Sequence, residues 1–198
     1  MLRLRRYAAH VALAAVIALL GVCLAHAAFA APLCTRTAPA PGPECIDPTP
    51  VCAAILRIGE DTCARRPTSC WLNPDRTEAV AECHRVEAAA RRHQAPVALS
   101  VVTAYRESGF APHAESSVGA VGTMQVLWRY VCPGACCDSA DAGVIALREW
   151  IERYGVRTAV AYYRVGHAAL RGVGLAGADS RLAVVRAVKL ELQEVSRG

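Results

Sequence analysis

Between residues 97 and 126 an apolar helical run meets a glycine-rich turn, and one acid stands at the joint. Pro96 suits the opening turn of a helix, apolar groups recur at Val101, Val102 and Tyr105, and Gly109 is placed to end the run by a left-handed cap. The acid, Glu107, therefore falls in the last turn. After a short loop comes Ser116-Ser117-Val118-Gly119-Ala120-Val121-Gly122-Thr123-Met124-Gln125-Val126, whose glycines permit tight turns close to a neighbouring backbone.

The segments around this joint repeat the helical period. Asp75 and Glu78 stand at the spacing of a capping box, and Val80, Cys83, Val86 and Ala90 mark one face of a helix ending near Arg92. Val144, Leu147, Trp150 and Ile151 line one side of a helix over 142–154, followed by Gly155. A further helix fits 158–164, and the last is expected over 181–195, after a start signal at Asp179-Ser180. Strand-like alternation is confined to short stretches. The predicted fold class is mainly α.

The N-terminal part reads differently. Residues 1–30 combine a basic start (Arg3, Arg5, Arg6), an apolar run over 11–25 and the small residues Ala28 and Ala30, the pattern of a cleaved secretory signal peptide. Its apolar run is shorter than a spanning helix requires, so no stable membrane insertion is expected after cleavage. Residues 31–74 are rich in proline and cysteine without a sustained period and are expected to form an irregular extension held by disulfides; residues 75–198 form the helical domain.

Of the ten cysteines, Cys23 lies in the leader. The others, Cys34, Cys45, Cys52, Cys63, Cys70, Cys83, Cys132, Cys136 and Cys137, are disulfide candidates in an exported chain. Their pairing is open, and the odd count leaves one over. Because Cys83 lies on the first expected helix, a bridge from it to the extension would tie that arm to the domain. The spacing of Cys132, Cys136 and Cys137 matches no zinc pattern, and no metal or organic cofactor is expected. The net charge of +5 includes the three leader arginines, so the rest is near balance and lacks the basic stripe of a nucleic-acid-binding protein.

The block running from Glu107-Ser108-Gly109-Phe110 to Ser116 through Gln125 resembles the soluble lytic transglycosylases, whose catalytic domain is lysozyme-like and related to goose-type lysozyme. Their pattern reads roughly E-S-x-F, then S-x-x-G-A-x-G-x-M-Q. The likeness spans about 79–166 and leaves out the extension. It implies a lysozyme-like domain in the periplasm that acts on peptidoglycan glycan strands, with Glu107 as the catalytic acid. Ser108 would orient the carboxyl or contact sugar, Gln125 would hydrogen-bond the sugar, and Met124 would wall the groove or fill the core. Ala161-Tyr162-Tyr163-Arg164-Val165-Gly166 looks like the family's A-Y-N-A-G element; aligned on its glycine, Tyr163 takes the tyrosine whose hydroxyl reaches toward the acid, while a one-residue shift selects Tyr162. Arg164 and Val165 depart from the pattern. Trp128 stands where a proline often follows and would stack on sugar or pack.

Glycosidic cleavage needs a proton delivered to the leaving oxygen. The end of the helix dipole and an apolar surround of Val102, Phe110 and Met124 are expected to keep Glu107 neutral. A hydrolase of goose-lysozyme type needs a second carboxylate, for which Glu115, Asp138 and Asp141 are the candidates. The resemblance implies instead that Glu107 protonates the bond between N-acetylmuramic acid and N-acetylglucosamine and then takes the C6 hydroxyl proton, closing a 1,6-anhydro ring. A third reading is a protein that binds glycan without cutting it, its extension docked on an envelope-spanning secretion or conjugation machine.

Overall fold

The computed structural model describes residues 47–127 and 138–195, and all of these belong to one compact unit. Residues 1–30, expected to be a leader, the proline run, Cys34, Cys45, Trp128, Cys132, Cys136 and Cys137 lie outside the described residues. The fold is mainly helical: α1 (Pro50–Arg65), a 3-10 turn (Pro67–Ser69), α2 (Arg76–Arg92), α3 (Val97–Ser108), α4 (Ser139–Tyr154), α5 (Val156–Val165), a second 3-10 turn (Gly166–Arg171) and α6 (Leu175–Val195). Among the described residues extended pairing is limited to isolated bridges of Val121 with Glu115 and with Val126.

α3 is the hub. It packs against α1, α2 and α6, while α4 packs on α2 and α5, and α5 on α6. Seven consecutive residues of α3, Leu99 to Tyr105, are buried. Such all-round burial brings polar groups inside, and Ser100 and Thr103 satisfy theirs by donating to the carbonyls of Pro96 and Leu99 at 3.1 and 2.8 Å. Pro96 is the residue just before the helix, and Gly109 closes it with φ 64°. The expected apolar face of α2 is buried at Val80, Cys83, Val86 and Ala90.

The extension departs from expectation. Residues 50–65, read as irregular because proline and cysteine obscure their period, form α1, with Thr49 as N-cap and a proline at the first turn. Cys52, Ala54, Ile55, Leu56 and Gly59 face the same core as the rest. Cys52 is bridged to Cys83, so the expected tie between the arm and α2 is present, and Cys63–Cys70 closes the turn after α1. α6 begins at Leu175, not at 181. Asp179 is no cap there; it lies inside the helix and takes a two-pronged pair from Arg157 at 2.7 Å. The capping box of α2 is half formed: Asp75 accepts from the Glu78 amide at 3.0 Å, whereas the Glu78 carboxylate receives the Asn73 side chain at 2.7 Å.

Candidate active site

Glu107 sits in the last turn of α3 with 18 % of its side chain exposed. The backbone that follows is tightly framed. Gly109 and Phe110 both take left-handed conformations, at φ 64° and 67°, and the second is costly for a bulky residue. Phe110 is fully buried against Tyr105, and Asn73 holds the bend from the other side. The Asn73 amide donates to the Gly109 carbonyl at 2.9 Å, and its side chain donates to the Phe110 carbonyl at 3.3 Å. Space is equally strict: a Cβ on Gly109 would lie 1.6 Å from the Trp71 carbonyl oxygen. The segment 71–73, assigned from sequence to the extension, therefore fixes where the acid's helix stops.

Arg181 is the residue that sequence reasoning missed. Its Nη2 lies 2.6 Å from Glu107 Oε1, and its side chain is only 7 % exposed. The contact is an ion pair without hydrogen-bond angles, and Arg181 Nη1 is buried with no hydrogen-bond partner among the described residues. Arg181 thus sets a guanidinium directly against the acid, a partner from the last helix that neither the helix end nor the apolar surround supplies. Val102, Phe110 and Met124 are core residues at 0 % exposure. No local signal marks Arg181, which in sequence is one arginine among many near a helix start.

The glycine-rich loop is tied to the acid's helix through Ser108. Its hydroxyl donates to the Thr123 carbonyl at 2.8 Å and accepts from the Ala111 amide at 3.2 Å, so both of its capacities serve the joint. The Thr123 hydroxyl in turn donates to Glu82 of α2. Glu82 is buried, and burial pushes its carboxyl above the usual range against the lowering effects of the Thr123 hydroxyl and Arg85. Gln125 spends its amide donors on the carbonyls of Ala114 and Gly122, both at 3.0 Å, and takes φ 48°. It braces the loop while also lining a groove. Met124 is buried, which decides between its two expected roles in favour of the core.

Tyr163 comes in from α5. Its hydroxyl donates to the Met124 carbonyl at 2.6 Å; burial first, then the charge of Glu107, holds the phenol far above its normal range, while Arg181 opposes them. The hydroxyl thus lies within electrostatic reach of both members of the pair. This approach depends on Gly143 of α4, where a Cβ would sit 2.4 Å from Met124 Cβ and 2.7 Å from the Tyr163 hydroxyl. Tyr162 points elsewhere: its ring stacks on Tyr154 and tilts against Trp150, and its hydroxyl meets His167 Nδ1 at 3.0 Å.

A groove of about 880 Å³ runs along this wall, lined by Gln125, Ile145, Trp150, Tyr162, Tyr163 and His167 among others. Glu107 is not in its lining; Tyr163 connects the two places. Arg164, the departure from the family's asparagine, also borders the groove and lays its guanidinium over α6, where a Cβ on Gly177 would come within 2.6 Å of Nη1.

Two of the three candidate second acids are occupied elsewhere. Asp138 caps α4 and pairs with Arg85 at 3.2 Å. Asp141 meets Arg92 at 2.7 Å and His93 at 2.8 Å; although burial acts to raise it, these bonds hold its carboxyl below the usual range. Glu115 is exposed on the loop, bridged through its backbone to Val121. Comparison of the chain with known protein families, curated proteins and solved structures finds no match in any of the three.

Proposed function

We propose that this protein is a peptidoglycan lytic transglycosylase of lysozyme-like fold, exported to the periplasm and acting through Glu107. The observation that carries the reading is the joint itself: the Ser108–Thr123 bond makes the acid's helix end and the glycine-rich loop one unit, and Tyr163 closes on that unit through Met124. These residues are the ones named by the E-S-x-F, G-A-x-G-x-M-Q and A-Y elements.

In the proposed reaction the Glu107 carboxyl gives its proton to the oxygen leaving from the muramoyl C1, and that C–O bond breaks. The resulting carboxylate then takes the proton of the muramoyl C6 hydroxyl as its oxygen bonds to C1, which closes the 1,6-anhydro ring and returns the acid to its starting form. One carboxyl serves both halves, in keeping with Asp138 and Asp141 having other partners. Groove aromatics such as Trp150 and Tyr162 suit the apolar faces of sugars.

The test is a digest of purified sacculi analysed by mass. Anhydromuropeptides from wild type and none from Glu107→Gln are expected. Products one water heavier would move the protein to the muramidases, and sacculus binding without release would make it a glycan-binding assembly protein.

A further inference from the structure

The groove carries more charge than a neutral saccharide needs. Its apolar strip is built from Trp150 of α4 with Tyr162 and Tyr163 of α5, whose ring centroids lie 4.9 and 5.4 Å from that of Trp150. The hydroxyls of both tyrosines are taken up, that of Tyr162 by His167 at 3.0 Å and that of Tyr163 by the Met124 carbonyl at 2.6 Å. Ring surface is what remains for a sugar to stack on. Next in sequence to these aromatics stand two exposed charges that also line the groove, Glu149 beside Trp150 and Arg164 beside Tyr163. Among the described residues neither has an ion-pair partner, and they do not pair with each other.

Arg164 also has a prepared seat. Its guanidinium lies over Gly177 of α6, where a Cβ would come within 2.6 Å of Nη1, so the helix is bare at the spot the cation occupies. A long side chain held at one place loses less freedom when it binds. An occupant that answers both charges bears a carboxylate and an amine a short chain apart, joined to something flat enough to lie on aromatic rings. The peptide stem on a muramoyl residue has that chemistry. It ends in a carboxylate, its diamino acid carries a free amine where strands are not cross-linked, and its sugar supplies the apolar face.

We propose that the groove binds the stem peptide of a glycan strand along with its sugar, Arg164 taking the peptide's carboxylates and Glu149 its free amine. This rests on the reading of the substrate as peptidoglycan. The arginine that departs from the family's asparagine is then a specificity-determining residue, and peptide-bearing strands that are not cross-linked are the preferred substrate.

The experiment is calorimetric titration, at low salt, of the protein with a disaccharide tetrapeptide that ends in muramic acid and so holds no bond of the type proposed to be cut. It is used unmodified, with its carboxylates converted to amides, and with its amine acetylated. Either modification is expected to weaken binding to wild type about fivefold, the upper end for an exposed ion pair. Arg164→Gln should bind the unmodified and amidated forms within about twofold of each other, while still losing affinity on acetylation. Glu149→Gln should show the converse. Equal affinity of wild type for all forms, or no binding, overturns the proposal, as does an Arg164→Gln that responds to amidation as fully as wild type.

Both side chains are exposed, so the variants should keep the wild-type circular dichroism. Should either unfold, the modified ligands on wild type decide by themselves. Anhydro products released by a protein indifferent to the peptide's charges leave the transglycosylase reading standing and remove this one; charge-dependent binding without anhydro products does the reverse.

Discussion

Two carboxyls stand on either side of the glycine-rich loop, and they solve the same problem differently. Glu82 of α2 is 4 % exposed, takes the neutral hydroxyl of Thr123 and lies 3.4 Å from the Arg85 guanidinium, yet burial prevails over both and its carboxyl is pushed up. Glu107 of α3 is also largely covered, yet its partner is the guanidinium of Arg181. A hydroxyl can satisfy an acid in either charge state, whereas a guanidinium is a fixed positive charge. Similar burial is therefore met by different partners, and for Glu107 that partner comes from the last helix.

The comparison breaks most severely at Gly109, which frames one acid and not the other. Gly109→Ala forces a Cβ into the Trp71 carbonyl at a left-handed position, and a loss of more than about 4 kcal/mol is expected, read from urea unfolding. Retention of near wild-type stability would mean that segment 71–73 does not clamp the helix end.

Next is the pair itself. Glu107→Gln leaves Arg181 buried without a counter-charge, at an expected cost of about 3–5 kcal/mol, and adding Arg181→Met should return most of it. A double-mutant cycle measures this directly. Additive losses would show that the two side chains are not coupled.

Glu82→Gln sharpens the contrast through pH. Because the folded carboxyl of Glu82 is raised, the native state holds more protons than the unfolded chain, and Glu82 costs stability progressively as pH rises through and above the ordinary carboxylate range. The variant keeps an acceptor for Thr123 and cannot ionise. Its stability relative to wild type should therefore grow from about pH 4.5 toward neutrality, by melting temperature. An equal offset at every pH contradicts the raised carboxyl. Gly119→Ala comes last: with φ 76° and nothing within 4 Å of its Cβ, it should cost only the left-handed conformation, about 1 kcal/mol.

Much of the scaffold was legible because it depends on neighbours in the chain. The end of α3 at Gly109, the cap at Asp75 and the buried face of α2 follow from period and capping chemistry. α1 was hidden because proline and cysteine read as loop signals, although the proline sits in the first turn where it is tolerated and Cys52 is bonded into the core. The start of α6 was misplaced because Asp179, a fair cap by type, is used for a pair with Arg157.

The amino-acid sequence alone determined that the chain is mainly helical, that one acid ends a helix, and that a glycine-rich turn follows it. Local periodicity and backbone stereochemistry carry that information. Tertiary structure decided what surrounds the acid: the Trp71 carbonyl under Gly109, the Tyr163 hydroxyl on Met124, and the guanidinium of Arg181 against Glu107. Charge and burial are properties of groups that meet only when distant helices pack, so no spacing along the chain could announce them.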